Sequence, residues 1–196
     1  MRITSGSARG RRVPLPRGVD LRPTSDKVKQ ALFNVLAPLV PGAAVLDLFC
    51  GSGNLGLEAL SRGARSAFFV DRQRRCVESA RAAAETFGFA GSCQWLCADW
   101  EQALGRLAGG EQRFDLVFLD PPYQSGLGIR ALQNPDLVAI VAPGSASRVV
   151  LEHDASQPPP ILSAFQPEKT RAHGGTALTF FCPALSAPAP KVPHAD

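Results

Sequence analysis

The chain has 196 residues, 45% of them hydrophobic, and a formal net charge of +4. That length suits one domain with a substantial core. No apolar run approaches the roughly 18 residues of a membrane span, and the start MRITSGSARGRR carries no apolar signal-peptide core, so a cytoplasmic protein is expected. The five cysteines are odd in number and scattered, and read as reduced core thiols; neither they nor the three histidines show metal-ligand spacing, so no metal is expected.

Residues 1–22 mix Arg, Gly and Pro with short β-like pieces (Met1–Ser5, Arg11–Pro14) and read as a hairpin or arm outside the main core. Within residues 1–30 eight basic residues face two acidic ones, so the rest of the chain is net negative. Such an asymmetry is the electrostatic footprint of a polyanion partner; taken alone, it is equally the composition of a solvated arm. Thr24, Ser25 and Asp26 offer N-caps for a helix to about Ala37, ended by Pro38. Val28, Ala31, Leu32, Val35 and Leu36 give it one apolar face, while Lys27, Gln30 and Asn34 share another.

From Ala43 strand and helix alternate. Strands are expected at Ala43–Phe49, Ser66–Val70, Gln94–Ala98, Phe114–Leu119 and Arg148–Leu151. Helices are expected near Leu55–Arg62, Arg74–Phe87, Glu101–Leu107 and Leu127–Val141. Oily strands separated by single helices imply an α/β fold with a parallel sheet covered on both faces. Lys169–Ala172, a turn at His173-Gly174-Gly175 and Ala177–Cys182 read as an antiparallel hairpin at one sheet edge. The Pro/Ala-rich tail 183–196 reads as disordered. The organisation expected is thus 1–40 basic arm and helix, 41–182 α/β domain, 183–196 tail.

Four successive strands end on or near an aspartate: Asp47, Asp71, Asp99 and Asp120. Carboxylates at buried strand ends are costly unless something binds them. Gly51, Gly53 and Gly56 satisfy G-x-G-x-x-G, a weak dinucleotide signal by itself. Asp47 would sit where a pyrophosphate comes close and would repel it. A cationic ligand, a sulfonium with an α-amino group, suits that field better: S-adenosylmethionine. Asp71 is placed to accept from the ribose hydroxyls. Asp99 is placed near the adenine amino group or, equally, as a helix N-cap, with Trp100 or Arg72 flanking the ring.

After the fourth strand comes Asp120-Pro121-Pro122-Tyr123. Proline lacks the N–H donor, so the strand stops at Asp120 and a stiff turn remains at the sheet's C-terminal lip. An exocyclic amine on a nucleobase is a poor nucleophile, because its lone pair is delocalised into the ring. Acceptors on its two N–H groups favour the tetrahedral form that attacks. The Asp120 carboxylate is one acceptor and the Pro121 carbonyl the second, while Tyr123 offers a face for an extruded base.

DPPY and DLFCGSGNLGLEAL resemble motifs of the amino-methylating class I methyltransferases. RITSGSARGRR, LRPTSDKVKQALFNVL and His173-Gly174-Gly175-Thr176-Ala177-Leu178 resemble the RsmD family, bacterial enzymes that methylate N2 of a guanine in 16S ribosomal RNA. The resemblance spans residues 1–182. It implies a Rossmann-like class I methyltransferase fold with a mostly parallel seven-stranded sheet and a C-terminal antiparallel hairpin. It also implies Asp120, Pro121, Pro122 and Tyr123 as the catalytic turn. Asp47, Gly51, Gly53 and Asn54 would line the methionine end, with Phe49, Cys50 and Gly56 in the same loop, and Asp71, Arg72, Asp99 and Trp100 would serve ribose and adenine. Arg9, Arg11, Arg12, Arg22, Lys27 and Lys29 would contact phosphates of ribosomal RNA or of a small-subunit assembly particle, with no membrane and no obligate protein partner. The competing readings are an adenine-N6 DNA methyltransferase, an inactive nucleic-acid binder and an NAD-dependent oxidoreductase. The first lacks room for a domain that reads base edges; intact Asp47, Asp71 and Asp120 argue against the second, and Asp47 and the DPPY turn against the third.

Overall fold

The computed structural model describes residues 1–16, 18–19, 25–122, 126–144 and 146–184. Helix α1 (Asp26–Leu36) starts where Ser25 Oγ accepts from the Val28 amide, so the expected cap forms. Strand β1 (Ala44–Asp47) and helix α2 (Asn54–Ser61) follow, then β2 (Ser66–Asp71), α3 (Arg74–Phe87) and β3 (Cys93–Cys97). The second half runs α4 (Trp100–Ala108), β4 (Leu116–Leu119), α5 (Leu127–Gln133), α6 (Pro135–Ile140), β5 (Arg148–Asp154), β6 (Phe165–His173) and β7 (Thr176–Pro183).

The single helix expected over Leu127–Val141 is two. Pro135 has no N–H to give, and it pushes Asn134 out of the α region to φ −75°, ψ 125°. Asn134 Oδ1 then accepts from the Asp136 amide and caps the second piece.

The sheet order is β3-β2-β1-β4-β5-β7-β6, parallel through the first five strands and antiparallel at β7 and β6. Chain order reverses between β1 and β4, and that switch point is where open α/β sheets hold ligands. One face is packed by α1, α2 and α3 around Phe33, Leu57, Phe69 and Phe118. The other is packed by α4, α5 and α6 around Leu104, Leu119, Leu137 and Leu151. Gly56 allows the first of these contacts, because a Cβ there would overlap the Phe69 ring. Gly56→Ala is expected to cost about 1–3 kcal/mol in urea unfolding; an unchanged midpoint would show that the helix has room to lift.

The expectation of an arm outside the core is corrected. Ile3, Ala8 and Val13 are 1–2% exposed and belong to the same buried cluster as Leu57 and Phe118. Residues 1–13 form a tight loop closed by an antiparallel bridge between Arg2 and Arg12. The Thr4 and Ser5 amides donate to Glu58 on α2, and the Ala8 amide donates to Ser61 Oγ. The short apolar residues between the arginines supply core contacts that composition hides.

Cys50 and Cys76 are buried free thiols, whereas Cys97 is exposed, correcting its placement in the core. The C-terminal hairpin is longer than expected and reaches Pro183, while residues 185–196 lie outside the described residues. Among the described residues no helix is long and apolar enough to cross a membrane.

Candidate active site

At the switch point a cavity of about 270 Å³ opens at the C-terminal ends of β1, β2, β3 and β4. All four strand-end aspartates, Asp47, Asp71, Asp99 and Asp120, line it. Phe49, Cys50, Gly51, Asn54, Arg72, Trp100, Pro121 and Pro122 join them. The parallel pairing explains the convergence, since Asp47 lies level with Phe69 and Phe118, and Asp71 and Asp120 each follow two residues on, at the same lip.

Each carboxylate is set differently. Asp47 is 2% exposed, and its Oδ2 accepts from the Gly56 amide at 2.9 Å. It takes the place of the N-cap that Gly53, with φ 78° and no side chain, cannot supply to α2. Burial pushes the Asp47 carboxyl up to about 7, and the nearby Asp120 and Asp71 add to the rise. Asp71 accepts from the Gly51 amide (2.9 Å) and the Gln73 amide (2.8 Å), which pins the glycine loop to β2. Burial raises its carboxyl too, although those two amide bonds offset part of the rise. Asp99 caps α4 through the Glu101 amide at 3.0 Å and also lines the cavity. Cys50 stays a neutral thiol, its ionisation pushed well up by burial.

Some expected residues stand elsewhere. Gly53 and Gly56 are absent from the cavity wall; a Cβ on Gly53 would come within 2.7 Å of the Ala80 methyl, so both glycines serve packing. Lys29 is the clearest correction. Its side chain is 0% exposed and is paired with Glu58 at 3.1 Å, so it offers nothing to a phosphate. Helical periodicity put Lys29 one step from the buried Val28, and only the Glu58 partner across the interface shows why it turns inward. Arg9, Arg11, Arg12 and Lys27 are exposed, with the Arg11 guanidinium 4.8 Å from the Phe87 ring centroid. Arg22 and Tyr123 lie outside the described residues.

Sequence reasoning missed Met1, Ser52, Gln73 and Leu127 in the wall. It also missed a groove lined by Arg2, Arg12, Val13, Leu15 and Phe87 that meets the cavity at Met1. A charged run adjoining a strand-end cavity leaves no mark in sequence, because the two are brought together only by the folded loop 1–13.

The family model described as Conserved hypothetical protein 95 matches residues 1–182. The chain belongs to this family, the RsmD family. Among curated RsmD-family relatives it is 40% identical to "Ribosomal RNA small subunit methyltransferase D" of Escherichia coli over 65% of this chain and 62% of that one. The namesake of Haemophilus influenzae is 34% identical over 67% and 68%. The chain thus aligns with somewhat under, or about, two thirds of those relatives' length. A solved hypothetical protein of Thermus thermophilus superposes with TM-score 0.76 at 28% identity, covering 92% of this chain and 98% of that one. A Salinibacter ruber RNA methyltransferase, solved in complex with S-adenosyl-L-homocysteine, shares the fold at TM-score 0.61 and 19% identity, over 81% and 92% of the two chains. The RsmD-family chain therefore has the expected Rossmann-like class I methyltransferase fold.

Proposed function

We propose that this protein transfers a methyl group from S-adenosylmethionine to the exocyclic N2 amine of a guanine in 16S ribosomal RNA. One observation carries the reading: the Asp120-Pro121-Pro122 turn lines the same cavity as the glycine loop and the Asp47, Asp71 and Asp99 carboxylates. The RsmD-family relatives, named as small-subunit ribosomal RNA methyltransferases, support it.

The residues present fit the cofactor. Asp71 holds the loop and keeps lone pairs for ribose hydroxyls. Asp47 is a buried carboxyl that gains by meeting a cation. The Asn54 side-chain Nδ2 is buried without a hydrogen-bond partner among the described residues. Bound there, S-adenosylmethionine supplies an electrophilic methyl carbon and a thioether leaving group. Asp120 accepts one N–H of the amine and the Pro121 carbonyl the other, so the nitrogen lone pair turns toward the methyl carbon. Asp120 would stabilise the positive charge that grows on nitrogen as the methyl carbon leaves sulfur for nitrogen, until the spare proton passes to water. Tyr123 supplies the stacking face.

Arg9, Arg11, Arg12, Arg22 and Lys27, within residues 1–40, bind RNA phosphates, and the groove through Arg2 and Arg12 leads the strand to the cavity. Replacing Arg9, Arg11 and Arg12 together with Gln is expected to weaken RNA binding and to reduce the slope of log K against log salt by about 2. An unchanged slope would remove the phosphate role.

The test of function is transfer from labelled S-adenosylmethionine to undermodified small subunits and to naked 16S RNA, followed by mapping of the methylated base. Label on a guanine N2 is expected. Label on adenine N6, or on DNA alone, would overturn the assignment.

A further inference from the structure

Lys29 is fully buried on α1, and its ammonium meets three acceptors: the Arg2 carbonyl at 2.6 Å, Asn54 Oδ1 at 2.7 Å and Glu58 Oε2 at 3.1 Å. An ammonium has three donors and no acceptor, so this set is complete. It also decides the state of Asn54. The amide must turn its oxygen toward Lys29, which leaves Nδ2 on the other side. Asn54 is 5% exposed, it lines the cavity, and its Nδ2 has no hydrogen-bond partner among the described residues. A buried amide donor without a partner is costly unless a ligand satisfies it.

We propose that Lys29 is a positioning residue for the cofactor: by holding Asn54 Oδ1 it fixes the amide so that Nδ2 donates to the carboxylate of the methionine end. The inference rests on reading the cavity as the S-adenosylmethionine site. The chemistry of the ligand selects the acceptor. Neither the α-amino group nor the sulfonium accepts a hydrogen bond, and on the proposed placement the acceptors of ribose and adenine lie toward Asp71 and Asp99, at the ends of the neighbouring strands. The carboxylate is the one negative group entering a cavity that already holds Asp47, Asp71, Asp99 and Asp120. It needs a donor, and the buried Asn54 Nδ2 is one left without a partner among the described residues. The Lys29 ammonium also donates to the Arg2 carbonyl, so it touches both loop 1–13 and the Asn54 amide.

The experiment compares two ligands by titration calorimetry on the full chain. S-adenosylhomocysteine has the amino-acid end; 5′-methylthioadenosine keeps adenine, ribose and sulfur but lacks it. Asn54→Ala is expected to weaken S-adenosylhomocysteine by on the order of tenfold and to leave methylthioadenosine within about twofold. Asn54→Asp is expected to be worse than Ala for S-adenosylhomocysteine alone. One of its oxygens stays on Lys29 while the other faces the ligand carboxylate. Lys29→Met combined with Glu58→Gln removes the buried pair together; it should reproduce the selective loss of Asn54→Ala, and adding Asn54→Ala should cost little more.

Equal weakening of both ligands, or none, in Asn54→Ala would overturn the donor role. Ala and Asp variants of equal affinity would overturn the fixing of the amide by Lys29, a readout that stands even where the Lys29→Met pair fails to fold. Failure of the wild type to bind either nucleoside would instead overturn the cofactor site itself.

Discussion

Asp120→Ala is expected to lower methyl transfer by on the order of 10³-fold while leaving the dissociation constant of S-adenosylhomocysteine within about twofold. Single-turnover transfer and calorimetry would read the two quantities separately. The separation follows from position. Asp120 closes β4, whereas the cofactor loop is held by the Gly51 amide on Asp71 and the Gly56 amide on Asp47, bonds that do not involve Asp120. The charge of Asp120 helps to raise the Asp47 carboxyl. Removing it should let Asp47 ionise at lower pH, which favours a cationic ligand slightly. What is lost is an acceptor for the amine as its nitrogen becomes tetrahedral and positive. Parallel loss of rate and affinity would place Asp120 with the cofactor and not with the reacting base.

Asp47→Asn is expected to stabilise the ligand-free protein at pH 8 and to weaken S-adenosylmethionine by about 10- to 100-fold. The carboxyl titrates near 7 in the fold against an ordinary 3.8. Between those values the unfolded chain gives up its proton first. The folded state therefore loses stability as pH rises from about 4 to 7, by roughly 4 kcal/mol in all. Asn keeps an oxygen for the Gly56 amide and carries no charge, so urea unfolding of the variant should lack most of that decline. The wild type should bind S-adenosylmethionine more tightly as pH rises toward 7 and release a proton on binding below that, visible in buffers of different ionisation enthalpy. A flat affinity profile from pH 5.5 to 8, with no proton released, would mean that Asp47 does not meet the cation.

Much of this site is legible in sequence because its signals are local. Pro121 and Pro122 stop a strand wherever they occur, and the alternation of oily runs with single helices places the ends of β1 to β4 to within two residues, β1 stopping at Asp47 where Phe49 is expected. Ser25 and Asn134 show both sides of the same rule. The first is one of three adjacent cap candidates, Thr24, Ser25 and Asp26, and the fold selects it; the second is hidden because the apolar periodicity from Leu127 continues across Pro135. Asp99 reads equally as cap and as ligand, and the fold shows the cap while leaving the residue on the cavity wall.

Chain order alone determined the parallel sheet, the four acidic strand ends and the proline turn, since period, breaker and cap each depend on neighbours a few residues away. Only tertiary structure decided that Lys29 faces inward, that loop 1–13 is core, that Gly56 packs on Phe69 and that Asp47 holds its proton near neutrality. Those outcomes depend on partners such as Glu58, 54 residues from Thr4 along the chain, and on how much water each group loses. Burial and pairing are properties of a place in space, and no residue carries them in its own name.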